Sequence, residues 1–274
     1  MKKRSSIIHG DMAIQWASTV ISYVHDAEGL PLCEQLDYYC IDYLNKAVLP
    51  HKKTILHDYI EAVIIDSYSY MLDKHFPGEV IADLDECSEY YQLPIDSLGK
   101  RQFRFDSTGE LLSGDFEDAE VYADNFLNLF QEKLLSTLAE DVFTILYSDK
   151  NLLAFFCNEL AEKIRNLKAS EYPDILASDG VLQRCQYWPA WLERGIYMRD
   201  KGRCQLCGCD VSGILRTDVK YNIDHIVPLK CGGINDPINL QLSCEHCNKS
   251  KGARSTKFNN IASPFWRLDE YEQL

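Results

Sequence analysis

Two pairs of cysteines, Cys204 with Cys207 and Cys244 with Cys247, constrain this chain more than any other feature. A two-residue gap lets a tight turn aim both thiols at one ion. Two such knuckles complete a closed tetrahedral shell of four thiolates, the ligand set of structural zinc. No coordination position stays open, so an ion held there stabilises and does not catalyse. Its binding would supply much of the folding energy of a small module. Disulfides are the competing use of 11 cysteines. The odd number and the clustering of six of them between Cys204 and Cys247 speak against that use. So does the N-terminus, where Lys2, Lys3 and Arg4 precede alternating polar and apolar residues and not the apolar core of a secretory signal. A cytoplasmic protein is expected. Cys209 and Cys231 are spare thiols, and Cys209 could compete as a ligand.

The net charge of −14 argues against a polyanionic partner until its distribution is considered. Residues 1–185 carry 16 basic and 32 acidic side chains, whereas residues 186–266 carry 11 basic and 7 acidic. A basic module on an acidic body can hold phosphate locally. No apolar run reaches the roughly 18 residues that a membrane-spanning helix needs.

The expected fold class is mostly α: a helical N-terminal domain over 1–175, a small zinc-stapled domain over 186–262, and a tail over 263–274. Met12, Trp16, Val20 and Val24 recur at helical spacing behind Asp11 as a cap. Further helices are expected over Cys33–Val48, Thr54–His75 (stopped by Pro77-Gly78), Phe116–Tyr147 and Lys150–Lys168. A hairpin or ordered loop is expected between Gly99 and Gly114, where Phe103 and Phe105 alternate with charges. The turn-rich stretch from Ala169 to Trp188 marks the expected domain boundary, and a helix near Trp191–Arg199 leads into the first knuckle. His51, His57 and His75 have no acidic partner that spacing identifies and are assigned structural roles. The acidic run Glu117, Asp118, Glu120, Asp124 is assigned to a solvated helix face.

Between the knuckles stand Asp224-His225-Ile-Val-Pro228, Gly232-Gly233 and Asn239-Leu240, and Asn248 follows the last cysteine directly. Together these residues resemble the HNH endonuclease family, the ββα-metal nucleases, over about 194–257. The resemblance implies that His225 is the general base that activates water. It implies that Asn239 orients that histidine through its backbone and pins the loop between two strands. Asn248 stands where the third letter is often histidine, and with Asp224 it would hold a catalytic divalent ion, Mg2+ or Mn2+. The chemistry suits those residue types. A hard cation with oxygen ligands neutralises charge developing on a phosphodiester, and a neutral histidine accepts a proton near pH 7. The expected products carry 5′-phosphate and 3′-hydroxyl ends.

The resemblance further implies nucleic acid, DNA in particular, as the partner. Lys251, Arg254, Lys249, Arg203 and Arg199 cluster around the motif and are the expected phosphate contacts, Lys251 first among them. An HNH module joined to a helical domain also suggests anti-phage defence, with the acidic body binding a protein partner or forming a homo-oligomer that restrains cutting. The reading from another class is a non-catalytic, zinc-dependent module that binds DNA or protein. The presence of both Asp224 and His225 weighs against it.

Overall fold

The computed structural model describes residues 10–25, 40–214 and 220–252, with the backbone alone for 40–42. It is mostly helical (58% helix), and among the described residues the strands pair into three two-stranded antiparallel sheets. Contacts divide the chain into two compact units, Met1–Ser22 with His57–Ile145 and Tyr23–Leu56 with Leu146–Leu274. This division does not follow the expected limits of 1–175 and 186–262. The described residues 43–56 and 146–175 group with the C-terminal elements, for reasons that the hydrogen bonds below make plain. No helix among the described residues is long and apolar enough to cross a membrane.

The first unit takes most of α1 (Gly10–Val24) and α3 (Ile55–Asp73), with α4 (Pro77–Tyr91), α5 (Phe116–Lys133) and α6 (Leu135–Leu146). The stripe Met12, Trp16, Val20 is buried as its spacing requires. Trp16 meets Tyr68 edge-on with ring centres 5.4 Å apart, and Tyr68 meets Phe130 at 5.8 Å. Asp11 lies within the first turn of α1 and does not cap it. Pro77 does more than stop α3: it occupies the first turn of α4, where its missing N–H costs nothing. That helix is hidden in sequence by its acidic residues, yet Val80, Ile81, Leu84 and Cys87 form its buried stripe. The expected long helix over 116–147 breaks at Leu134. The hairpin is present as β1 (Arg104–Phe105) with β2 (Leu111–Ser113). Its turn is tied by Asp106 Oδ1, which accepts from the Thr108 N–H at 2.8 Å and the Glu110 N–H at 3.0 Å. His57 is buried and stacks on Phe143 at 3.8 Å. His75 does have an acidic partner, Glu120, at 2.6 Å, which bare sequence spacing could not reveal.

The second unit contains α2 (Cys40–Val48), α7 (Lys150–Arg165), the β3 (Leu176–Ser178)–β4 (Val181–Leu182) hairpin and α8 (Ala190–Arg199). It ends in β5 (Tyr221–His225), β6 (Leu240–Cys244) and α9 (Glu245–Lys251), a ββα order in the chain. The part of the expected 33–48 helix before Cys40, and the 263–274 tail, lie outside the described residues. Leu192 and Ile196 of α8 pack with Val211, Leu240 and Leu242 in one buried cluster that includes Cys204 and Cys244. A buried ion-pair network ties α7 and α8 to β6. Asp200 lies 2.8 Å from Arg199 Nε and 2.8 Å from Lys150 Nζ, and accepts from the Leu242 N–H at 2.7 Å. Burial alone would raise the Asp200 pKa, but Arg199 and Lys150 hold it below the ordinary carboxylate range.

Candidate active site and metal centre

The knuckles are built by local turns. In the first, the Cys204 N–H donates to the Cys209 carbonyl at 2.9 Å and the Gly208 N–H to the Cys204 carbonyl at 2.8 Å. In the second, Cys244 caps α9, its Sγ accepting from the Cys247 N–H at 3.4 Å. The Gln205 N–H donates to the Leu242 carbonyl at 2.9 Å and joins the first knuckle to β6. The Sγ atoms of Cys204, Cys207, Cys244 and Cys247 consequently lie within 4.8 Å of one another, in position to bind a metal. A tetrahedron with metal–sulfur bonds of about 2.3 Å spaces its sulfurs about 3.8 Å apart. Cys207 and Cys244 stand 4.0 Å apart, so the donors fit. Cys209 packs beside this group but is not one of the four. His246 is exposed.

Strands β5 and β6 pair in register, Asp224 opposite Gln241 and His225 opposite Leu240. Asp224 Oδ2 accepts from Lys251 Nζ at 2.7 Å and from Gln241 Nε2 at 3.1 Å. His225 is 9% exposed. Its Nε2 lies 3.1 Å from Asn235 Oδ1, and Trp188 meets its ring edge-on with centres 5.8 Å apart. Burial is the main force on the imidazole and pushes its pKa down to about 4, with the Asn235 and Asp224 interactions opposing and Arg184 and Lys251 adding to the depression. The ring is therefore neutral at pH 7, the form that can accept a proton.

Asn239 is fully buried and serves the backbone: its Oδ1 accepts from the Val227 N–H at 2.8 Å, and its Nδ2 donates to the Val227 and Ile234 carbonyls, each at 2.9 Å. It pins both arms of the loop that leaves His225. That loop turns at Gly232 and Gly233. Gly232 has φ +85°, and a Cβ on Gly233 would stand 1.8 Å from the Val227 carbonyl oxygen, so neither position admits a side chain. Asn248 is half-buried on α9, one turn before Lys251. Lys251 of the same helix reaches Asp224 of β5. Residues 204–254 match the HNH endonuclease family.

No curated protein and no solved structure matches the chain. An HNH domain points to a nuclease or nucleic-acid-binding role, and the HNH segment holds every expected catalytic and thiol residue. The expected phosphate contacts fare differently. Lys251 is buried, and its ammonium is consumed by Asp224, by the His225 carbonyl, and by the Ile226 carbonyl at 3.3 Å. It cannot also meet a phosphate; the carbonyls that end β5 need its protons. The Arg199 side chain is likewise buried, bonded to Asp200 and to the Leu240 carbonyl, with its guanidinium 4.7 Å from the Tyr147 ring centre. Both side chains are turned into the protein, Lys251 2% and Arg199 4% exposed, and not toward solvent as the expected phosphate contacts would be. Arg203 is half-buried and donates to the Gly208 carbonyl at 2.9 Å, inside the knuckle. Lys249 is exposed and pairs with Glu245 at 2.5 Å across one helical turn. Arg254 lies outside the described residues.

Three residues that sequence reasoning passed over complete the site. Asn235 and Gln241 contact His225 and Asp224 directly, and Arg184 lies close enough to act on the His225 charge. Asn235 stands within the Gly-Gly stretch of the motif, but its anchors do not. Its backbone N–H donates to the Ala47 carbonyl at 2.8 Å, and its Nδ2 donates to the Val48 and Gln183 carbonyls, each at 2.8 Å. The neighbouring Asp236 accepts from the Ile55 N–H at 3.0 Å. Residues 47–55, far upstream in sequence, thus belong to the structure of this site.

Proposed function

We propose that this chain is a metal-dependent endonuclease that hydrolyses phosphodiester bonds in DNA through its HNH segment. His225 is the general base. Asp224 and Asn248 hold a divalent ion, Mg2+ or Mn2+, and the four cysteines hold structural Zn2+. The observation that carries this reading is the setting of His225: a nearly buried imidazole held by Asn235 and Trp188, next to Asp224 on β5 in a segment matched to HNH endonucleases.

The donor set suits a hard cation. Lys251 and Gln241 both engage Asp224 Oδ2, which leaves Oδ1 unengaged among the described residues, and an amide oxygen of Asn248 is the matching neutral donor. A divalent ion there would neutralise charge developing on the phosphoryl oxygens and the leaving O3′. His225 takes a proton from the attacking water as its oxygen forms the new bond to phosphorus. The bond to O3′ breaks with its electron pair, and O3′ gains a proton from solvent. The products carry 5′-phosphate and 3′-hydroxyl ends. Asn239 keeps the His225 loop from moving during these steps by holding both of its arms.

The acidic helical region is assigned the control of cutting, through a protein partner or a second copy of the chain. A nuclease free in the cytoplasm would otherwise damage its own cell, and anti-phage defence is the setting that fits such restraint. One observation favours a second reading, a non-catalytic binding module: the Lys251 ammonium already balances the Asp224 charge, as it would where no cation is needed.

The test is incubation of zinc-loaded full-length protein with supercoiled plasmid in Mg2+ or Mn2+, with and without EDTA. The nuclease reading expects EDTA-sensitive nicks that a ligase reseals without prior kinase treatment. DNA retention with no cutting under any divalent ion supports the second reading.

A further inference from the structure

We propose that Asn235 is a positioning residue that locks His225 as its Nε2–H tautomer, so that the lone pair on Nδ1 is the one offered to water. The proposal rests on the nuclease reading for its use of Nδ1, but the tautomer itself follows from hydrogen-bond chemistry alone.

The Asn235 side chain is fully buried and its amide cannot be turned over. Nδ2 donates both protons, one to the Val48 carbonyl and one to the Gln183 carbonyl, each at 2.8 Å. Carbonyl oxygens only accept. The reversed amide would set Oδ1 against two carbonyl oxygens and lose both bonds in a site without solvent. Oδ1 must therefore face His225, and it too only accepts. The atom 3.1 Å away, Nε2, must carry the proton. In a neutral imidazole the other nitrogen then holds the lone pair, and among the described residues Nδ1 has no protein hydrogen-bond partner.

The anchor is rigid on every side. The Asn235 N–H is fixed by the Ala47 carbonyl. The next residue, Asp236, accepts from the N–H groups of Ile238 and Ile55, each at 3.0 Å. Trp188 closes on the imidazole ring. A ring held this way has one tautomer and one orientation before substrate arrives, which is what a general base needs for a fast proton transfer. Asn239 holds the backbone of the His225 loop, whereas Asn235 holds the ring; the two asparagines are not interchangeable.

The experiment uses 15N-labelled, zinc-loaded full-length protein at pH 7.5. Two-bond 1H–15N spectra report each ring nitrogen of His225, assigned by the signals lost in His225→Gln. The proposal expects Nε2 in the protonated range and Nδ1 in the lone-pair range in the wild type. Asn235→Ala should mix the two tautomers and lower kcat about 10- to 100-fold with KM within about 2-fold, the size of effect typical of groups that orient a catalytic ligand. A protonated Nδ1 in the wild type overturns the proposal without any variant. An unchanged tautomer in a folded Asn235→Ala protein also overturns it. A locked Nε2–H tautomer in a wild type that cuts no DNA upholds the role of Asn235 and refutes the nuclease reading, so the two failures are distinct.

Discussion

Lys251 donates from Nζ to Asp224 Oδ2 at 2.7 Å, linking the last residue of α9 to the penultimate residue of β5. The same ammonium satisfies the carbonyls of His225 and Ile226, so one side chain fixes the carboxylate and ends the strand. Lys251→Met would leave a nearly buried carboxylate and two carbonyls without that donor. Breaking such a pair costs on the order of 3 kcal/mol. Urea unfolding of the zinc-loaded protein should show a loss of that size. The salt dependence of DNA binding should stay unchanged, whereas loss of a phosphate contact would lower its slope by about one.

Asp200 is a second structural charge, bonded to Arg199, Lys150 and the Leu242 N–H in the interior of the second unit. Asp200→Ala leaves two buried cations facing each other with no counter-charge. A loss of about 3–5 kcal/mol in chemical unfolding is expected, larger than for Asp85→Ala. Asp85 pairs with Arg101 at a partly exposed site, where a loss of about 1 kcal/mol or less is expected.

Acid should destabilise the fold through His225. The folded ring titrates at about 4 against an ordinary 6.5. Between those values the unfolded chain binds more protons, so stability rises with pH across this window and falls as pH drops through it. Above 6.5 the penalty is absent. From pH 7 to pH 5 the loss should be about 2 kcal/mol. His225→Gln should lack this component, and unfolding midpoints of the two proteins at both pH values measure it directly.

Removal of the knuckle ion should be selective. Cys204 and Cys244 sit in the same buried cluster as Leu192, Ile196 and Leu242, so an ion held by them and that core would support each other. A strong chelator, or Cys244→Ser, should melt the far-UV signal of part of the chain and quench no signal from the Trp16 environment of the first unit. Loss of all structure at once would show that the two units do not unfold independently.

The sequence was most legible where chemistry imposes spacing. Four thiols around one ion require two close pairs, and they are found together. The resemblance to the HNH family implied that Asn239 pins the histidine loop, and its side chain bonds to the Val227 backbone in that loop. Helical stripes such as Met12-Trp16-Val20 were equally plain, whereas the stripe of α4 was masked by acidic residues between its apolar positions. What sequence could not supply is pairing between distant backbone groups. Nothing in Val48 or Gln183 marks their carbonyls as the acceptors for Asn235, and so the contribution of residues 47–55 to the second unit went unseen. Nor does a lysine reveal whether its ammonium faces water or a buried carboxylate, which is why Lys251 and Arg199 were assigned to phosphate.

The most direct test of the account compares zinc-loaded wild type with zinc-loaded His225→Ala on supercoiled plasmid in Mn2+, at equal protein and matched zinc content. Nicking or linearisation by the wild type is expected, with a loss of at least about 100-fold in the variant, the scale set by removal of a general base. Equal cutting by both proteins would contradict the assignment of His225, and an inert wild type that still binds the plasmid would contradict the nuclease itself.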